Sequence, residues 1–597
     1  MSRLFRSFLF FPCLATISVL GLGCDYSKND GTAMPTGLLQ PGVPLTPVGS
    51  SKSGATSSAK SAGSSGARAA ALPSEEVTEE KTAILDNVIK LIQTASIKPG
   101  GQNFGNAIKN LNQYFEGTKP SEYILDEKAR AYLVQAPMES DRIDELENRL
   151  WSMPDARHVE DCMLYNGIAT RVAGVGDDLT RVRRVFDWMV RQIQLVPAGT
   201  LGSPQLGQAY ARPYDVLVRG MATEEAGPWA ERSWLFLSLC RQLGLDGALI
   251  YHTPPGAKGP VVWCTTILVD EKVGDTVFTS PYLFDCRIGL PIPDARGDGV
   301  ATLQDAMTDA SILARLDLPG QSFYGVDRAA LQASTTKIGV LLDSSPRYFS
   351  PRMKLLQRSL AGKNLTVLYR NPAEQRNHWV KALGPIAGPV GLWELPIRVE
   401  TLLFSDPNFM ASTMQALQMF TPELPLLFAR MKELRGETNE AVLDYVNMRF
   451  APNAVAMDKK TLIPPEIQQA LDIYATYFLG MCQLDKKNPD KAAGFFDRTL
   501  KMLPEYGPGQ PYFTMFRRGA AANLGRIMDA NGEIAKATSY YAMADPSRQR
   551  HGNLYLGREL VWKNPAAPIP AILPSSPALR QIFGTPPPAP EVEAAVK

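Results

Sequence analysis

The chain has 597 residues, too many for one hydrophobic core, and this length predicts about three or four structural units. Its 45% hydrophobic and 20% charged residues are typical of globular proteins. A formal net charge of only +2, with no long run of lysine and arginine, argues against a nucleic-acid-binding protein.

Residues 1–24 have the organisation of an export signal. Arg3 and Arg6 precede an apolar run from Phe8 to Leu22, which is too short to span a membrane comfortably, and Gly23 and Cys24 follow. A cysteine directly after such a run resembles a bacterial lipobox, which implies that Cys24 becomes the lipidated first residue. An ordinary secreted protein and an uncleaved anchor are the alternatives.

Residues 25–71 are rich in Ser, Gly, Ala, Pro and Thr and contain few apolar residues. Such a segment cannot bury enough surface to offset its ordering entropy, so we predict a flexible tether. No second apolar run of spanning length follows. We therefore expect a cell-envelope protein that meets a bacterial membrane through its lipid alone and faces the periplasm or the exterior.

Residues 72–155 are predicted to be helical. Ile84, Val88 and Leu91 recur near the helical period, and Ser140 can cap a polar helix that ends at Leu150. This region forms either a small helical domain or an extension of the next one.

Residues 156–303 predict two helices followed by antiparallel strands, which indicates an α+β fold. The first helix, Asp177 to Leu195, carries an apolar stripe and can be capped by Asp177. The second begins at Trp229 and is apolar almost all round, so it should be buried in a core, and Gly244 follows as a cap. The predicted strands are 248–251, 261–269 and 277–284.

Residues 304–404 mix short strands with helices. The patterns predict a helix at 350–360, and strands at 338–342, 365–369 and 391–394. They indicate no particular fold or function for this segment.

Residues 405–564 are helical and carry a repeated spacing in which a small residue at mid-helix is followed by an alanine and an aromatic residue of the next helix. This pattern resembles the tetratricopeptide repeat and predicts an all-α, tetratricopeptide-like array, with a generic helical bundle as the alternative. Residues 565–597 form a Pro/Ala-rich tail with a short helix near 578–583. The three matching sets are Phe428-Ala429, Ala441 and Tyr445; Leu479-Gly480, Ala492 and Phe496; and Leu524-Gly525, Ala537 and Tyr541.

The helix from Trp229 to Gly244, the strand containing Trp263 and the segment Leu283-Phe284-Asp285 together resemble the transglutaminase-like superfamily, whose core has a papain-like fold. In that family a cysteine opens the helix, a histidine lies two residues before the strand tryptophan, and an aspartate closes the next strand. These positions hold Trp229, Val261 and Asp285 here. The resemblance therefore implies a degenerate triad in which only the aspartate is kept.

Further motifs resemble bacterial exported proteins of unassigned function that pair such a core with helical repeats. The resemblance covers roughly residues 177–303, and the motifs are Arg219-Gly220, Glu231-Arg232, 241–245, 285–293 and 297–303. It implies the fold more than an activity, because function depends on the site.

The remaining cysteines offer weak replacements for the nucleophile. Cys240 falls in the apolar stripe of its helix, where a thiol stays protonated. Because side chains alternate along a strand, Cys264 and Cys286 should face away from the ancestral site, towards each other, as a disulfide or as plain packing. No cysteine or histidine spacing indicates a zinc or redox site, so we predict no metal and no cofactor. His252 either reaches the cleft through its Pro/Gly loop or is structural.

Trp229, Trp234 and Trp263 could line an aromatic cleft beside Asp285 and Arg287, suited to a peptide or a sugar, or they could simply be core residues. Asp285 is expected to bond Arg287 or a backbone amide. We therefore expect a lipoprotein that binds a protein or peptide on the concave face of its repeats, with the old cleft as a second candidate. The alternatives are an active cysteine peptidase or acyl transferase with a relocated nucleophile, and a passive structural lipoprotein.

Overall fold

The computed structural model describes residues 79–97, 102–136, 138–196, 211–223, 230–254, 256–257, 259–320, 324–333, 335–417, 419–450, 462–503, 511–543, 545, 547–566 and 577–584. All of them belong to one compact unit. The fold is α+β, with helices on both faces of a mixed, six-stranded sheet. None of the helices in these ranges combines the length and apolarity that a membrane span requires.

The N-terminal region is helical over its described part, as the patterns predict. Apolar residues of the first two helices, among them Val88, Ile92 and Leu111, pack into a common core. Asp126 caps the third helix by accepting a hydrogen bond from the backbone of Ala129. The helices are α1 (Glu79–Gln93), α2 (Gln102–Tyr114), α3 (Glu127–Gln135) and α4 (Ser140–Leu146).

A long central helix, α5 (Met153–Ala173), escaped the sequence patterns. It begins with a reciprocal capping box between Ser152 and Asp155. Polar residues as well as apolar ones are buried along it, so it has no single apolar stripe to reveal it. The next helix, α6 (Asp178–Gln192), has the predicted stripe and the predicted cap at Asp177.

The buried helix predicted near residue 229 is α8 (Ala230–Gln242), in which all 13 residues are buried. Gly244 follows it with a φ of +84°, a conformation that favours glycine. A short helix, α7 (Pro213–Arg219), precedes it between two strands that pair in parallel, β1 (Gln194–Val196) and β2 (Met221–Thr223).

The six-stranded sheet has the order β6-β5-β4-β3-β7-β8, antiparallel except for the last pair. Three of its strands agree with those predicted between residues 248 and 284. Because β7 pairs with β3, the sheet runs past the boundary expected at residue 303 and includes strands of the 304–404 segment. The strands are β3 (Gly247–His252), β4 (Val261–Val273), β5 (Thr276–Asp285), β6 (Leu290–Pro291), β7 (Ile338–Asp343) and β8 (Ala387–Trp393).

The strand predicted at 365–369 is wrong, because these residues have no regular secondary structure. Their backbone groups form hydrogen bonds with side-chain amides instead of with a neighbouring strand. Gln242 exchanges two hydrogen bonds with the backbone of Val367, and Gln357 accepts from the backbone of Leu368 and Tyr369. The backbone is thus satisfied without a sheet.

Small helices fill the rest of the 304–404 segment, and the predicted helix at 350–360 is α12. The helices are α9 (Leu303–Thr308), α10 (Ala310–Ala314), α11 (Arg328–Gln332), α12 (Pro351–Ser359), α13 (Pro372–Leu383) and α14 (Glu394–Ser405).

From residue 407 the described chain is helical, and each helix from α16 to α22 packs against the next. The predicted small–aromatic pairs meet: a Cβ added at Gly480 would lie 2.6 Å from the ring of Phe496, and one at Gly525 would lie 2.7 Å from that of Tyr541. The helices are α15 (Pro407–Ala416), α16 (Pro425–Arg435), α17 (Thr438–Phe450), α18 (Pro465–Asp485), α19 (Pro489–Met502), α20 (Pro511–Ala530), α21 (Ile534–Tyr541), α22 (Gln549–Lys563) and α23 (Pro577–Ile582).

The first helix of each predicted repeat packs against the α/β core. Arg430 of α16 donates to the carbonyl of Leu217 and to the side chain of Gln192. Tyr477 of α18 accepts a hydrogen bond from Gln194. The sides of α16 and α18 that face the core are therefore buried where the structure describes them, and docking on the concave face of the array stays a prediction.

Candidate functional site

Two of the three expected triad positions, Val261 and Asp285, lie in the described residues. Trp229 lies outside the described residues, as does the lipidation position Cys24. Val261 begins β4, is 44% exposed, and pairs with His252 of β3. The imidazole of His252 is buried, and neither ring nitrogen has a hydrogen-bond partner among the described residues, so His252 is placed as a core residue.

Asp285, at the end of β5, is fully buried and held by neighbouring donors. Its carboxylate accepts hydrogen bonds from the guanidinium and the backbone amide of Arg287, as expected, and one from the hydroxyl of Tyr324 at 2.5 Å. Burial opposes ionisation, but the charge and hydrogen bonds of Arg287 and the Tyr324 hydroxyl outweigh it and hold the pKa of Asp285 below its usual value. No oxygen of this sealed cluster is left to orient a histidine.

The expected aromatic cleft does not form between Trp234 and Trp263. Ile250 pairs with Cys264 and Tyr251 with Val262, so Trp263 is the extra residue of a β-bulge. Its indole donates to the Tyr324 hydroxyl and belongs to the core on that side of the sheet. Trp234 belongs to the other core, with α8.

The five cysteines of the described residues are free and buried. Burial raises the pKa of Cys240 and that of Cys264. The sulfur of Cys286 lies 3.5 Å from the hydroxyl of Thr265, which donates to Ser233 of α8, and burial raises its pKa to about 11. Cys286 and Cys264 thus belong to different cores, so the expectation that they face each other is wrong. The turn after β5 redirects Cys286 towards α8.

One thiol of α5 does contact an imidazole. The sulfur of Cys162 lies 3.6 Å from Nε2 and 3.9 Å from Nδ1 of His158, and the thiol donates to Tyr348. Because Nε2 is 3.0 Å from the carbonyl of Leu368, which can only accept, Nε2 carries the proton. Burial lowers the pKa of His158 to about 4 and raises that of Cys162 above its usual value. Both shifts keep the pair neutral, so the imidazole does not generate a thiolate.

A cavity with about 650 Å³ of empty space, including its mouth, opens beside α8. Its wall is built from α5, the start of α7, α8, the segment after β7, and α14. Trp234 is the expected cleft residue that lines it, and its indole donates to Ser345. Apolar side chains, including Leu403 and Phe404, line the side of α14.

Arginine and acidic residues also line this cavity. Arg212 donates to both carboxylate oxygens of Asp215 and reaches Asp161 at 3.4 Å. Arg347 is paired with Glu400 at 3.0 Å, and also with Glu145. Burial raises the pKa of Asp161 to about 7, although the charge of Arg212 opposes the shift. These two arginines therefore already have carboxylate partners.

Arg157 differs from both. Within the described residues, its guanidinium makes no ion pair or hydrogen bond, and its contacts are the rings of Phe104 and Phe404, whose centroids lie 5.9 and 6.0 Å away. Burial lowers its pKa and the nearby charge of Arg212 lowers it further, although the charges of Asp215, Asp161 and Glu160 oppose the shift. The cavity thus contains a desolvated positive charge that no carboxylate of the described chain neutralises by direct contact.

The sequence reasoning missed this cavity because its residues come from five separate segments. A spacing of four residues between His158 and Cys162 was visible, but only the structure shows that both lie on one helix. No group of histidine, cysteine and acidic residues in the described ranges is arranged to hold a metal ion. Comparisons with protein-family models, curated proteins and solved structures found no match to this chain.

Proposed function

We propose that this protein is a ligand-binding lipoprotein of the bacterial cell envelope, in which a transglutaminase-like core of papain type has lost its chemistry. Residues 1–24 with Cys24 would anchor it to a membrane and residues 25–71 would tether it. The ligand is a protein or a peptide. What supports the proposal most directly is that an open, largely apolar cavity lies against α8, while Asp285 is fully engaged by Arg287 and Tyr324.

The helical array, which we interpret as tetratricopeptide-like, supports the core in this proposal. Gly480 and Gly525 allow the close helix contacts that such repeats need. Arg430 is fully buried, bonded to α7 and ion-paired with Glu433. A partner can reach the outer helices, such as α17, where Leu443 is 63% exposed.

A site-specific photo-crosslinker distinguishes the cavity from the array. The full chain would carry benzoylphenylalanine at Leu403, in the cavity wall, or at Leu443, on the outer surface of α17. After irradiation with envelope extract, we expect peptide adducts at position 403 and none at 443, identified by mass spectrometry. Adducts at 443 alone would assign binding to the array, and none at either position would favour a passive structural protein.

A second candidate function, cysteine catalysis by a relocated nucleophile, is favoured by one observation, the contact between Cys162 and His158. We expect iodoacetamide to modify the folded chain slowly, because every described cysteine is buried. Rapid alkylation of Cys162 with a pH–rate inflection below 7, absent from Cys162→Ser, would establish this candidate instead.

A further inference from the structure

Arg157, which makes no ion pair or hydrogen bond within the described residues, indicates what the ligand of the cavity beside α8 carries. This inference rests on the proposed function, since it names the ligand class of the same cavity. Of the arginines that line it, Arg212 is bonded to Asp215 and Arg347 is paired with Glu400, whereas Arg157 has neither kind of contact among the described residues.

We propose that the cavity binds a carboxylate with an adjacent apolar group, and that Arg157 binds the carboxylate. The cation–π contacts of Arg157 engage none of its N–H donors, so these are available for a bidentate pair. The carboxylate is either the C-terminus of a peptide or part of a small free acid.

The position of Arg157 suits such a role. Phe104 is buried, whereas Phe404 is 53% exposed and lines the cavity, so the guanidinium lies between the core and the entrance. Two aromatic contacts restrict the side chain before a ligand arrives, which lowers the entropy lost on binding. A partly desolvated arginine also binds an anion more strongly than one in water.

The lining favours an anion with an apolar body over inorganic phosphate. Trp234, Leu403 and Pro396 provide apolar surface against which a side chain can pack.

Calorimetry on the full chain tests the assignment with three probes: acetyl-Ala-Ala-Phe with a free carboxylate, the same peptide as its C-terminal amide, and 3-phenylpropionate. We expect the acid to bind at least about tenfold more tightly than the amide, since only the acid carries the negative charge that strengthens hydrogen bonds from an arginine. Equal binding of 3-phenylpropionate would identify a small acid as sufficient. Binding of the peptide acid alone would identify a peptide C-terminus.

The variant Arg157→Met should remove the difference between acid and amide, and Arg157→Lys should restore part of it. The matched control is Arg296→Met, because Arg296 is an arginine whose side chain is 82% exposed and lies outside the cavity lining. Circular dichroism checks that each variant is folded. If Arg157→Met is not folded, the comparison of acid and amide is made with Arg157→Lys.

Three results would overturn the carboxylate assignment. If acid and amide bind equally, or if Arg157→Met keeps the preference, the cavity still binds a ligand but Arg157 does not read a carboxylate. If no probe binds at millimolar concentration, the assignment also fails, and the crosslink at Leu403 then decides separately whether the cavity is a binding site at all.

Discussion

The sealed cluster around Asp285 and the open cavity beside α8 each contain a largely buried arginine near an aromatic ring. Arg287 lies 5.6 Å from the ring centroid of Tyr324 and is bonded to Asp285, whereas Arg157 is flanked by two phenylalanine rings and has no such carboxylate among the described residues. Where the protein itself supplies the carboxylate, as Asp285 does for Arg287, the ion pair stabilises the fold. Where it supplies none in direct contact, as at Arg157, we propose that a ligand supplies the carboxylate.

The largest expected effect is on the sealed cluster. Arg287→Met should lower the free energy of unfolding by about 3–5 kcal/mol, because it leaves the carboxylate of Asp285 buried and without its counterion. Urea unfolding followed by circular dichroism measures this loss.

A double variant provides the control. Asp285→Asn combined with Arg287→Met removes both charges and should recover most of the loss. If Arg287→Met alone lowers the free energy of unfolding by less than about 1 kcal/mol, Asp285 is not held as a buried ion. The sealed cluster and the cavity would then not differ in the way proposed.

Acid should destabilise the cavity wall through His158. Above pH 6.5 its imidazole is neutral in both states, but between pH 6.5 and about 4 the unfolded chain binds a proton that the folded chain does not. The free energy of unfolding should therefore fall by on the order of 3 kcal/mol across this window. Urea unfolding at several pH values would show a smaller fall for His158→Gln, and equal slopes in the two proteins would contradict the assignment.

Loss of one hydroxyl should test whether the sealed cluster acts as a network. Tyr324 donates to Asp285 and accepts from Trp263 and Arg287, so Tyr324→Phe should cost about 1–3 kcal/mol of unfolding free energy. Since only the hydroxyl is removed, the apolar packing stays the same. A thermal midpoint equal to that of the unmodified protein would mean that the indole and the carboxylate find other partners.

The smallest effect on stability is expected at the cavity. Arg157→Met should change the free energy of unfolding by less than about 0.5 kcal/mol, because no described carboxylate loses an ion pair. The same substitution at Arg287 is expected to lower stability, whereas at Arg157 it is expected to change ligand binding. A loss above about 2 kcal/mol in urea unfolding would show that Arg157 has a structural role.

The sequence pattern predicted those helices and strands in which the apolar residues follow a regular order along the element. The stripe of α6 and the apolar runs of α8 and of β3 to β5 were visible in the sequence, and the small residues Gly480 and Gly525 predicted the helix contacts that occur. By contrast, α5 buries polar residues as well as apolar ones, and residues 365–369 are bonded by glutamine side chains, so no periodicity could describe either.

The identity of the residues was enough to show that Val261 carries no proton and that Asp285 had an arginine within reach two positions away. It could not show that a bulge turns Trp263 away from Trp234, or that Arg157 lines a cavity without an ion pair to any described carboxylate. Those features depend on distant segments, since α5, α7, α8 and α14 come from separate parts of the sequence and line one cavity in the folded chain. Their contacts arise from packing between elements, whereas a linear pattern reports only the environment along one element.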